Sequence, residues 1–340
     1  AADLIAWCTR NAPRFNPISL SGYHIREAGS TAPQEMAFAV ANACAYVQAT
    51  IERGVAVDDF APKLSWIFNT HIDFFEEIAK YRALRRMWAA IMRERFAPSD
   101  ERSLMLRTHT QTGGSTLTAQ QPENNIVRAA IEALAAVLGG VQSLALSCYD
   151  EALSIPTEKA QRIAVRTQQI IAEEVGATGT VDPLAGSYYV EWLTDELERQ
   201  AMALYSEVEE RGGAVACIES GWMQQLIQDE AYRAEQAVAS GDKVIVGVNK
   251  YTETEEAAPP LLFRPDERAM VEQGERLIRV RRERDPAPVT ASLAALRSAA
   301  EGDSDLMPAI IDTVRADATL GEICGTLRDV FGEYHPPASI

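Results

Sequence analysis

The stretch Asn16-Pro-Ile-Ser-Leu-Ser-Gly-Tyr-His-Ile-Arg-Glu-Ala-Gly-Ser-Thr31 decides the fold. Its β-prone residues predict a strand over 17–24 that ends in a Gly-Tyr-His tip. A short polar loop follows, and a long amphipathic helix begins at Thr31, where Gln34 completes a capping-box pattern. A strand that leads straight into a long helix is the unit from which parallel α/β sheets are built.

This strand-helix unit recurs three more times along the chain. Helix crossovers bring each strand back in the same direction, so the four strands are expected to be parallel. The predicted architecture is α/β, either an open sheet or the last four units of a (β/α)8 barrel, in which case the first half lies outside this chain. The predicted strands cover 17–24, 63–69, 104–110 and 141–147, and the helices cover 32–53, 72–96, 123–138 and 157–175.

After residue 176 the pattern becomes mostly helical. We predict three domains: the later barrel half over 1–176, a helical continuation over 177–250, and a linker with a helical tail over 251–340. The narrow apolar faces of the tail predict a wrapping or subunit-contact role. The predicted elements are helices at 1–9, 190–211, 213–219 and 222–240, a β-prone segment at 243–248, a linker at 252–260, and helices at 265–284, 287–300, 306–316 and 319–331.

Composition narrows the class of protein. The net charge of -17 over 340 residues, without a basic stripe, argues against a nucleic-acid partner. No apolar run approaches the ~20 residues of a membrane-spanning helix and no leader is visible, so we expect a soluble, cytoplasmic protein. Five scattered cysteines and four histidines predict reduced thiols and no protein-built metal site.

Polar residues cluster where the predicted strands end, which is where parallel α/β folds bind ligands. They can hydrogen-bond a carbonyl or a ribose, but they contain no recognisable pair of nucleophile and base. A histidine after a strand is more often a loop hydrogen-bonder than a catalyst, although Gly22 and Gly29 indicate close backbone approach around His24. The candidates are Tyr23, His24, Ser65, Phe68, Asn69, Arg107, His109, Gln111, Ser143, Ser147, Asp150 and Glu151.

Two further features have simple structural interpretations. The loop Thr112-Gly-Gly-Ser-Thr116 lacks the lysine of a phosphate-binding loop and is predicted to be a flexible turn. The charges of helix 72–96 are predicted to form a solvated face with i,i+4 pairs. They are Glu76, Glu77, Lys80, Arg82, Arg85 and Arg86.

Six motifs occur in a definite order: Ser21-Gly-Tyr-His-Ile-Arg-Glu-Ala-Gly29, Phe60-Ala-Pro-Lys-Leu-Ser65, Arg107-Thr-His-Thr-Gln-Thr112, Gln121-Pro-Glu-Asn-Asn125, Asp150-Glu-Ala-Leu153 and Asp182-Pro-Leu-Ala-Gly-Ser-Tyr-Tyr189. In this order they resemble the methylmalonyl-CoA mutase family, from about residue 1 to the C-terminus. The resemblance implies the later half of a (β/α)8 acyl-CoA-binding barrel that works with adenosylcobalamin and ends like the family's separate large subunit.

The resemblance also implies a reaction and partners. The reaction is a radical carbon-skeleton rearrangement of acyl-CoA thioesters, by default between methylmalonyl-CoA and succinyl-CoA, with 2-hydroxyisobutyryl-CoA or another branched acyl-CoA as the alternative. Because no Asp-x-His-x-x-Gly stretch is present, a small cobalamin-binding subunit is expected in a hetero-oligomer. An alternative of another class is a non-catalytic half-barrel that serves assembly.

Residue by residue, the resemblance implies these roles. Tyr23 and His24 contact the acyl group, with His24 donating to the thioester carbonyl. Lys63, where the family often has arginine, and Ser65 contact coenzyme A, and His109 and Ser143 join the substrate contacts. Gln111 faces substrate and the deoxyadenosyl group, and Glu151 and Ser147 contact the adenosyl group. The chain departs from the family at Ala145 and Ser147, where histidine and asparagine are common.

Overall fold

The computed structural model describes residues 1–253, 262–264 and 266–335. Four parallel strands form one sheet in the order of the sequence: Ser19–Ser21 (β1), Ser65–Thr70 (β2), Thr108–Thr112 (β3) and Ser143–Ala145 (β4). Each strand returns through a helical crossover, so the predicted parallel α/β class is confirmed.

The helices of the sheet-bearing part are α2 (Tyr23–Glu27), α3 (Ala32–Glu52), α4 (Val57–Phe60), α5 (Phe74–Ile91), α6 (Asn124–Gly139), α7 (Glu158–Glu173), α8 (Tyr188–Glu210), α9 (Gly213–Glu219) and α10 (Trp222–Ser240). A π-helical turn over Met92–Phe96 extends α5. The remaining helices are α1 (Ala2–Asn11), α11 (Glu267–Glu283), α12 (Pro286–Glu301), α13 (Leu306–Arg315) and α14 (Leu320–Phe331).

The chain divides into two compact units. Residues 14–263 contain the sheet, and residues 1–13 group with residues 264–335. In the latter unit α12 packs against α13 and α14, and α1 packs against α13, with the Leu306 amide 3.3 Å from the Asp3 carboxylate. The predicted division at 176 and 250 stays a prediction.

Several predicted boundaries are corrected. The first strand ends at Ser21, because the Gly22 amide makes the last ladder bond, to the Ile67 carbonyl at 2.9 Å, and the Gly22 carbonyl then accepts from Arg26 at 3.1 Å. Tyr23 and His24 therefore lie in the first turn of α2 and not in a strand.

Three other boundaries differ or fall outside the description. Residues Glu101–Leu104 form a 3-10 turn, so β3 starts later than predicted. The β-prone segment 243–248 contributes only one isolated bridge, between Val246 and Lys250. The predicted linker at 252–260 lies, except for 252 and 253, outside the described residues. The capping box predicted at Thr31 is confirmed, and Thr319 forms a second one with Glu322.

Glycine at positions 22 and 29 is explained by close contacts. A Cβ on Gly22 would lie 2.6 Å from Cδ1 of Phe68, which packs under the turn between β1 and α2. Gly29 has a φ of +104°, and a Cβ there would lie 2.5 Å from Cβ of Ala231. The predicted close approach of backbone around His24 is confirmed.

The two faces of the sheet differ in chemistry. One face is buried under α5 and α6: Trp66 meets Trp88 edge-on with ring centroids 4.9 Å apart, and Thr110 bonds the Tyr81 hydroxyl at 2.6 Å. The other face is half-buried or exposed, except at Asn69, which is fully buried. The pairing of neighbouring strands places the residues of this second face in three rows across the sheet. The rows are Ser19 with Ser65; Ser21, Ile67, His109 and Ser143; and Asn69, Gln111 and Ala145. We call these residues the open face.

A buried ion cluster anchors the carboxyl end of β2. The Lys80 ammonium lies 2.7 Å from Glu35 and 2.5 Å from Glu77, and all three side chains are fully buried. Lys80 also donates to the Asn69 carbonyl at 2.6 Å, and the Asn69 amide donates to Glu35 at 2.9 Å. Burial alone would lower the pKa of Lys80, but the two carboxylates outweigh it and raise that pKa.

This cluster corrects the prediction of a solvated helix face for two of its members. Glu77 and Lys80 are completely buried, whereas Arg86 of the same helix is 48% exposed and pairs with Asp195 and Glu198. The buried charges are tolerated because each has an opposite charge within bonding distance.

Replacing Lys80 with methionine should lower the free energy of unfolding by about 3–5 kcal/mol, because two carboxylates are left buried without their cation. Urea unfolding of the chain measures this change. The matched control is Arg86→Met on the same helix, for which a loss below about 1 kcal/mol is expected since its ion pairs are solvated. Equal losses in the two variants would contradict a structural role for the cluster.

Candidate active site

Ser147 organises the polar groups beyond the carboxyl ends of β3 and β4. Its hydroxyl donates to the Thr112 carbonyl at 2.8 Å, and its amide donates to the Thr112 hydroxyl at 2.8 Å. The amide nitrogen of Gln111 donates to the Ser147 oxygen at 3.1 Å. Because the single hydroxyl proton of Ser147 is already used, its oxygen can only accept from Gln111. The Gln111 side chain is thereby oriented with its nitrogen toward Ser147, and none of the residues that the structure describes donates to its oxygen.

Tyr23, two residues after the end of β1, lies next to these polar groups. Its half-buried phenol lies beside Ser147 and Glu151, and its ring meets His24 edge-on with centroids 5.6 Å apart. Burial raises the pKa of Tyr23 to about 12, and the Glu27 carboxylate adds to this rise. The phenol is therefore neutral at physiological pH and can donate a hydrogen bond.

His24 is the exposed member of the group. Its Nδ1 lies 2.8 Å from the Ser21 hydroxyl, so the short turn between β1 and α2 fixes the ring. Its Nε2 makes no hydrogen bond to the residues that the structure describes. This nitrogen is the atom through which His24 can address a ligand.

His109 and Ser143 form a second pair, in the middle row of the open face. Nδ1 of His109 lies 2.6 Å from the Ser143 hydroxyl, and the register pairs the two residues directly. Burial lowers the pKa of His109, which favours the neutral imidazole. Ser143 begins β4 and is not at its carboxyl end, so the prediction of a strand-exit position for Ser143 is wrong.

Lys63 and Ser65 lie at the opposite end of β2. Lys63 closes a 3-10 turn over Ala61–Lys63, and Ser65 is the first residue of the strand. The Ser65 hydroxyl donates to the Ile18 carbonyl at 3.2 Å. Ser65, like Arg107 just before β3, is therefore misplaced by the prediction that put it at a carboxyl end. It still belongs to the open face, in the row with Ser19.

Glu151 lies beyond β4, where its Oε1 accepts from the Cys148 amide at 2.7 Å. The structure thus brings together Tyr23, Gln111, Ser147 and Glu151 at the carboxyl edge, with His24 against Tyr23. The His109–Ser143 pair lies one row below Gln111, and Lys63 and Ser65 lie at the amino edge. Phe68 packs against Tyr81 in the helix-covered layer and is not available to a ligand.

No metal site or membrane-spanning helix is found among the described residues. No group of three or more histidine, cysteine, aspartate or glutamate side chains in that part of the chain is arranged to hold a metal ion. Likewise, none of the described helices is both long enough and apolar enough to cross a bilayer. All five cysteines are free thiols, and Cys324 is the exposed one.

Comparison with known proteins gives the family. A family model described as methylmalonyl-CoA mutase matches residues 1–333. The 2-hydroxyisobutanoyl-CoA mutase large subunit of Aquincola tertiaricarbonis is 48% identical over 333 residues, which are 98% of this chain and 59% of the relative.

The chain belongs to the methylmalonyl-CoA mutase family. Methylmalonyl-CoA mutase of Escherichia coli K12 is 45% identical over 99% of this chain and 47% of the relative. The human mitochondrial enzyme is 43% identical over 98% of the chain and 44% of the relative. The chain spans about half the length of the curated relatives that it matches.

The sequence interpretation missed Glu27. Its Oε1 accepts from the Asn69 side chain at 2.5 Å and from the amide and hydroxyl of Ser115, each at 3.2 Å. Glu27 therefore ties α2 to the loop after β3. Its position four residues after Tyr23, on the same helical face, was a usable signal once the helix is known to start at Tyr23.

A cavity beside this loop was also missed. It has a volume of about 620 Å3 and is lined mainly by apolar side chains of α6 and the 243–248 segment, including Val127, Ile131 and Val246. His71, directly after β2, also lines it. Burial and the nearby Arg26 lower the pKa of His71 to about 3, so its imidazole is neutral.

Glu132 of α6 is a buried acid that the sequence analysis did not single out. It is fully buried, with the Thr116 hydroxyl and the Gly113 amide beside its carboxyl group. Burial raises the pKa of Glu132 to about 9, and the Glu77 carboxylate adds to the rise. In this member of the methylmalonyl-CoA mutase family Glu132 is therefore a neutral acid at physiological pH.

The Glu132 carboxyl should make stability fall as pH rises. The unfolded chain loses this proton near the ordinary value of 4.5, whereas the folded chain keeps it up to about 9. Between these values the folded state binds more protons, so the free energy of unfolding decreases by at most about 1.4 kcal/mol per pH unit. Glu132→Gln should remove this slope.

Urea unfolding at several pH values across that window measures the effect. The matched control is Glu158→Gln on α7, where the side chain is 87% exposed and the slope should stay that of the parent. A Glu132→Gln variant with the parent's pH slope would contradict the assignment of a buried neutral acid.

Ser147→Ala should lower the free energy of unfolding by about 1 kcal/mol, because the hydrogen bonds of its hydroxyl to the Thr112 carbonyl and from the Gln111 amide are lost. The measurement is urea unfolding of the chain. The control is Ser240→Ala at the exposed end of α10, for which a loss below about 0.5 kcal/mol is expected. Equal losses in the two variants would contradict the bridging role of Ser147 between Gln111 and Thr112.

Proposed function

We propose that this chain is the substrate-binding part of an adenosylcobalamin-dependent acyl-CoA mutase. One observation supports the proposal most: the open face of the sheet carries the polar side chains expected to contact an acyl-CoA, in level rows from Ser65 at one end to Gln111 at the other. Hydrogen-bonding groups on this face suit a ligand that runs along the strands. No residue there is an activated nucleophile, and a radical rearrangement needs none.

The open face also supports a barrel. Parallel sheets are normally covered on both faces, and a polar, half-exposed face is unusual for them. In a (β/α)8 barrel this face would point inward, and β1 and β4 would pair with the strands of the other half. We infer that the first four units are supplied by further sequence of the same protein or by another chain.

The described residues have defined tasks in this reaction. His24, held at Nδ1 by Ser21, donates from Nε2 to the thioester carbonyl and keeps it oriented through the migration. Tyr23 is a neutral donor beside it, and the free amide oxygen of Gln111 accepts from the ligand. These contacts speed the reaction insofar as they hold the transition state more tightly than the substrate.

The residues beyond β4 fit the adenosyl group of the cofactor. Vicinal ribose hydroxyls donate to carboxylates and accept from amides, and Glu151 and Gln111 present these groups on either side of Ser147. Adenosylcobalamin, when bound, supplies the radical chemistry. Ser147 is too short to replace an asparagine directly, and here it acts by orienting Gln111. We assign the cobalamin itself to a separate small subunit, as expected from the name of the large-subunit relative.

The first candidate substrate pair is methylmalonyl-CoA and succinyl-CoA, after the family and most of the relatives compared. The second is 2-hydroxyisobutyryl-CoA, favoured by the relative that is 48% identical. Assaying both thioesters with the complete enzyme decides between them. Turnover of neither, with acyl-CoA binding also absent, would support the alternative of a non-catalytic half-barrel that serves assembly.

Replacing His24 with alanine should lower turnover about 10²–10³-fold, as for other donors to a reacting carbonyl. The side chain is exposed, so the unfolding midpoint should not change. The measurement is the rate of acyl-CoA isomerisation by the complex completed with its other barrel half and cobalamin-binding subunit. His335→Ala, an exposed histidine outside the site, is the control. Parent-like turnover of His24→Ala would refute the role given to His24.

A further inference from the structure

Helix α11 presents an apolar stripe to solvent. Met270 is 82% exposed, Val271 60%, Leu277 37% and Ile278 66%. Each of them is three or four residues from Gly274, so all four lie with Gly274 on one face of the helix. We call Met270, Val271, Gly274, Leu277 and Ile278 the α11 stripe. Exposed apolar surface of this kind marks an interaction site.

Gly274 lies at the centre of the stripe. Glycine in an exposed helix interior costs about 1 kcal/mol relative to alanine. A Cβ built on Gly274 meets no atom within 4 Å, so no contact with the described residues requires glycine here. Glycine has a use at this position if another backbone comes close to it.

The stripe is symmetric about Gly274. Met270 and Ile278 are each four residues away, and Val271 and Leu277 are each three residues away. When the helix is laid antiparallel against a copy of itself with Gly274 facing Gly274, Met270 comes level with Ile278 of the copy. Val271 likewise comes level with Leu277. Every apolar side chain of the stripe then meets an apolar side chain.

The charges complement each other in the same arrangement. The part of α11 before Gly274, with its cap, has Asp266, Glu267 and Glu272 against one arginine, Arg268, and the part after Gly274 has Arg276, Arg279, Arg281 and Arg282 against Glu275 and Glu283. Reversing one helix sets the acidic half of one copy beside the basic half of the other. The helix dipole explains acidic residues before basic ones within a single helix, but it explains neither the apolar stripe nor the central glycine.

We propose that α11 pairs with α11 of a second copy of this chain, antiparallel, about a twofold axis that passes beside Gly274. Such an interface is isologous, since the same patch serves both subunits. One helix pair of this length buries less than the ~1,200 Å2 of a standard stable interface. The self-association is therefore weak, with a dissociation constant in the micromolar range or above.

A charge-pair experiment tests the register. Met270→Glu and Ile278→Lys each place a charge against an apolar residue of an identical partner, and each should raise the dissociation constant at least tenfold. Mixed in equal amounts, the two variants should associate nearly as well as the parent, since Glu at 270 then faces Lys at 278. Both positions are exposed, so folding should be unaffected. Sedimentation velocity of the whole chain is the measurement.

Ala269→Glu is the matched control, since Ala269 lies on the opposite face of α11 and is also exposed. It should associate like the parent. A parent chain that stays monomeric up to about millimolar concentration would overturn the proposal. A dissociation constant that is unchanged by Met270→Glu and Ile278→Lys would also overturn it. So would a mixture of the two variants that associates no better than either variant alone.

A cross-link tests the axis within the assembled enzyme. Gly274→Cys, with the exposed Cys324 replaced by serine, should form a disulfide between two copies under mild oxidation, because residues on a twofold axis lie next to their own copies. Ala269→Cys in the same background should not. Absence of the Gly274→Cys dimer in the assembled enzyme would show that another partner covers the stripe.

Discussion

The position of the site depends on the buried ammonium of Lys80. It forms ion pairs with Glu35 and Glu77 and donates to the Asn69 carbonyl, while Glu35 accepts from the Asn69 amide and Glu27 accepts from the Asn69 side chain. The carboxyl end of β2 is thereby held by residues of α2, α3 and α5. Tyr23 and His24 are in α2, so the groups proposed to contact the thioester are positioned by a cluster that is itself fully buried.

The fold could be predicted from sequence to a large extent, because strand, crossover and cap are encoded locally. The capping box of Thr31 with Gln34 and the regular recurrence of four strand-helix units led to the prediction of a parallel sheet, which the structure confirms. Strand ends were less predictable. Whether the chain turns at Ser21 or at His24 depends on Phe68 lying under Gly22, a contact between residues 46 positions apart that no local pattern contains.

Within the candidate site, residue types were predicted better than their geometry. The family motifs contain Gln111 and Glu151, and Ser147 was singled out as a departure from the family, but the hydrogen bond by which Ser147 orients Gln111 follows only from the structure. The burial of charged side chains was the property that the sequence predicted least well. Lys80, Glu77 and Glu132 are polar residues on helices that also have exposed charges, and which face is covered depends on neighbouring elements that the periodicity of one helix does not describe.

The strict sequence order of the sheet has a consequence for how the protein is made. Within the described sheet each strand pairs with the strand next to it in the sequence, so a new unit needs only the unit before it as a partner. The chain can grow one unit at a time during synthesis, with each finished edge as a template for the next. The same property makes the boundaries between units the natural places to divide such a protein into fragments that reassemble.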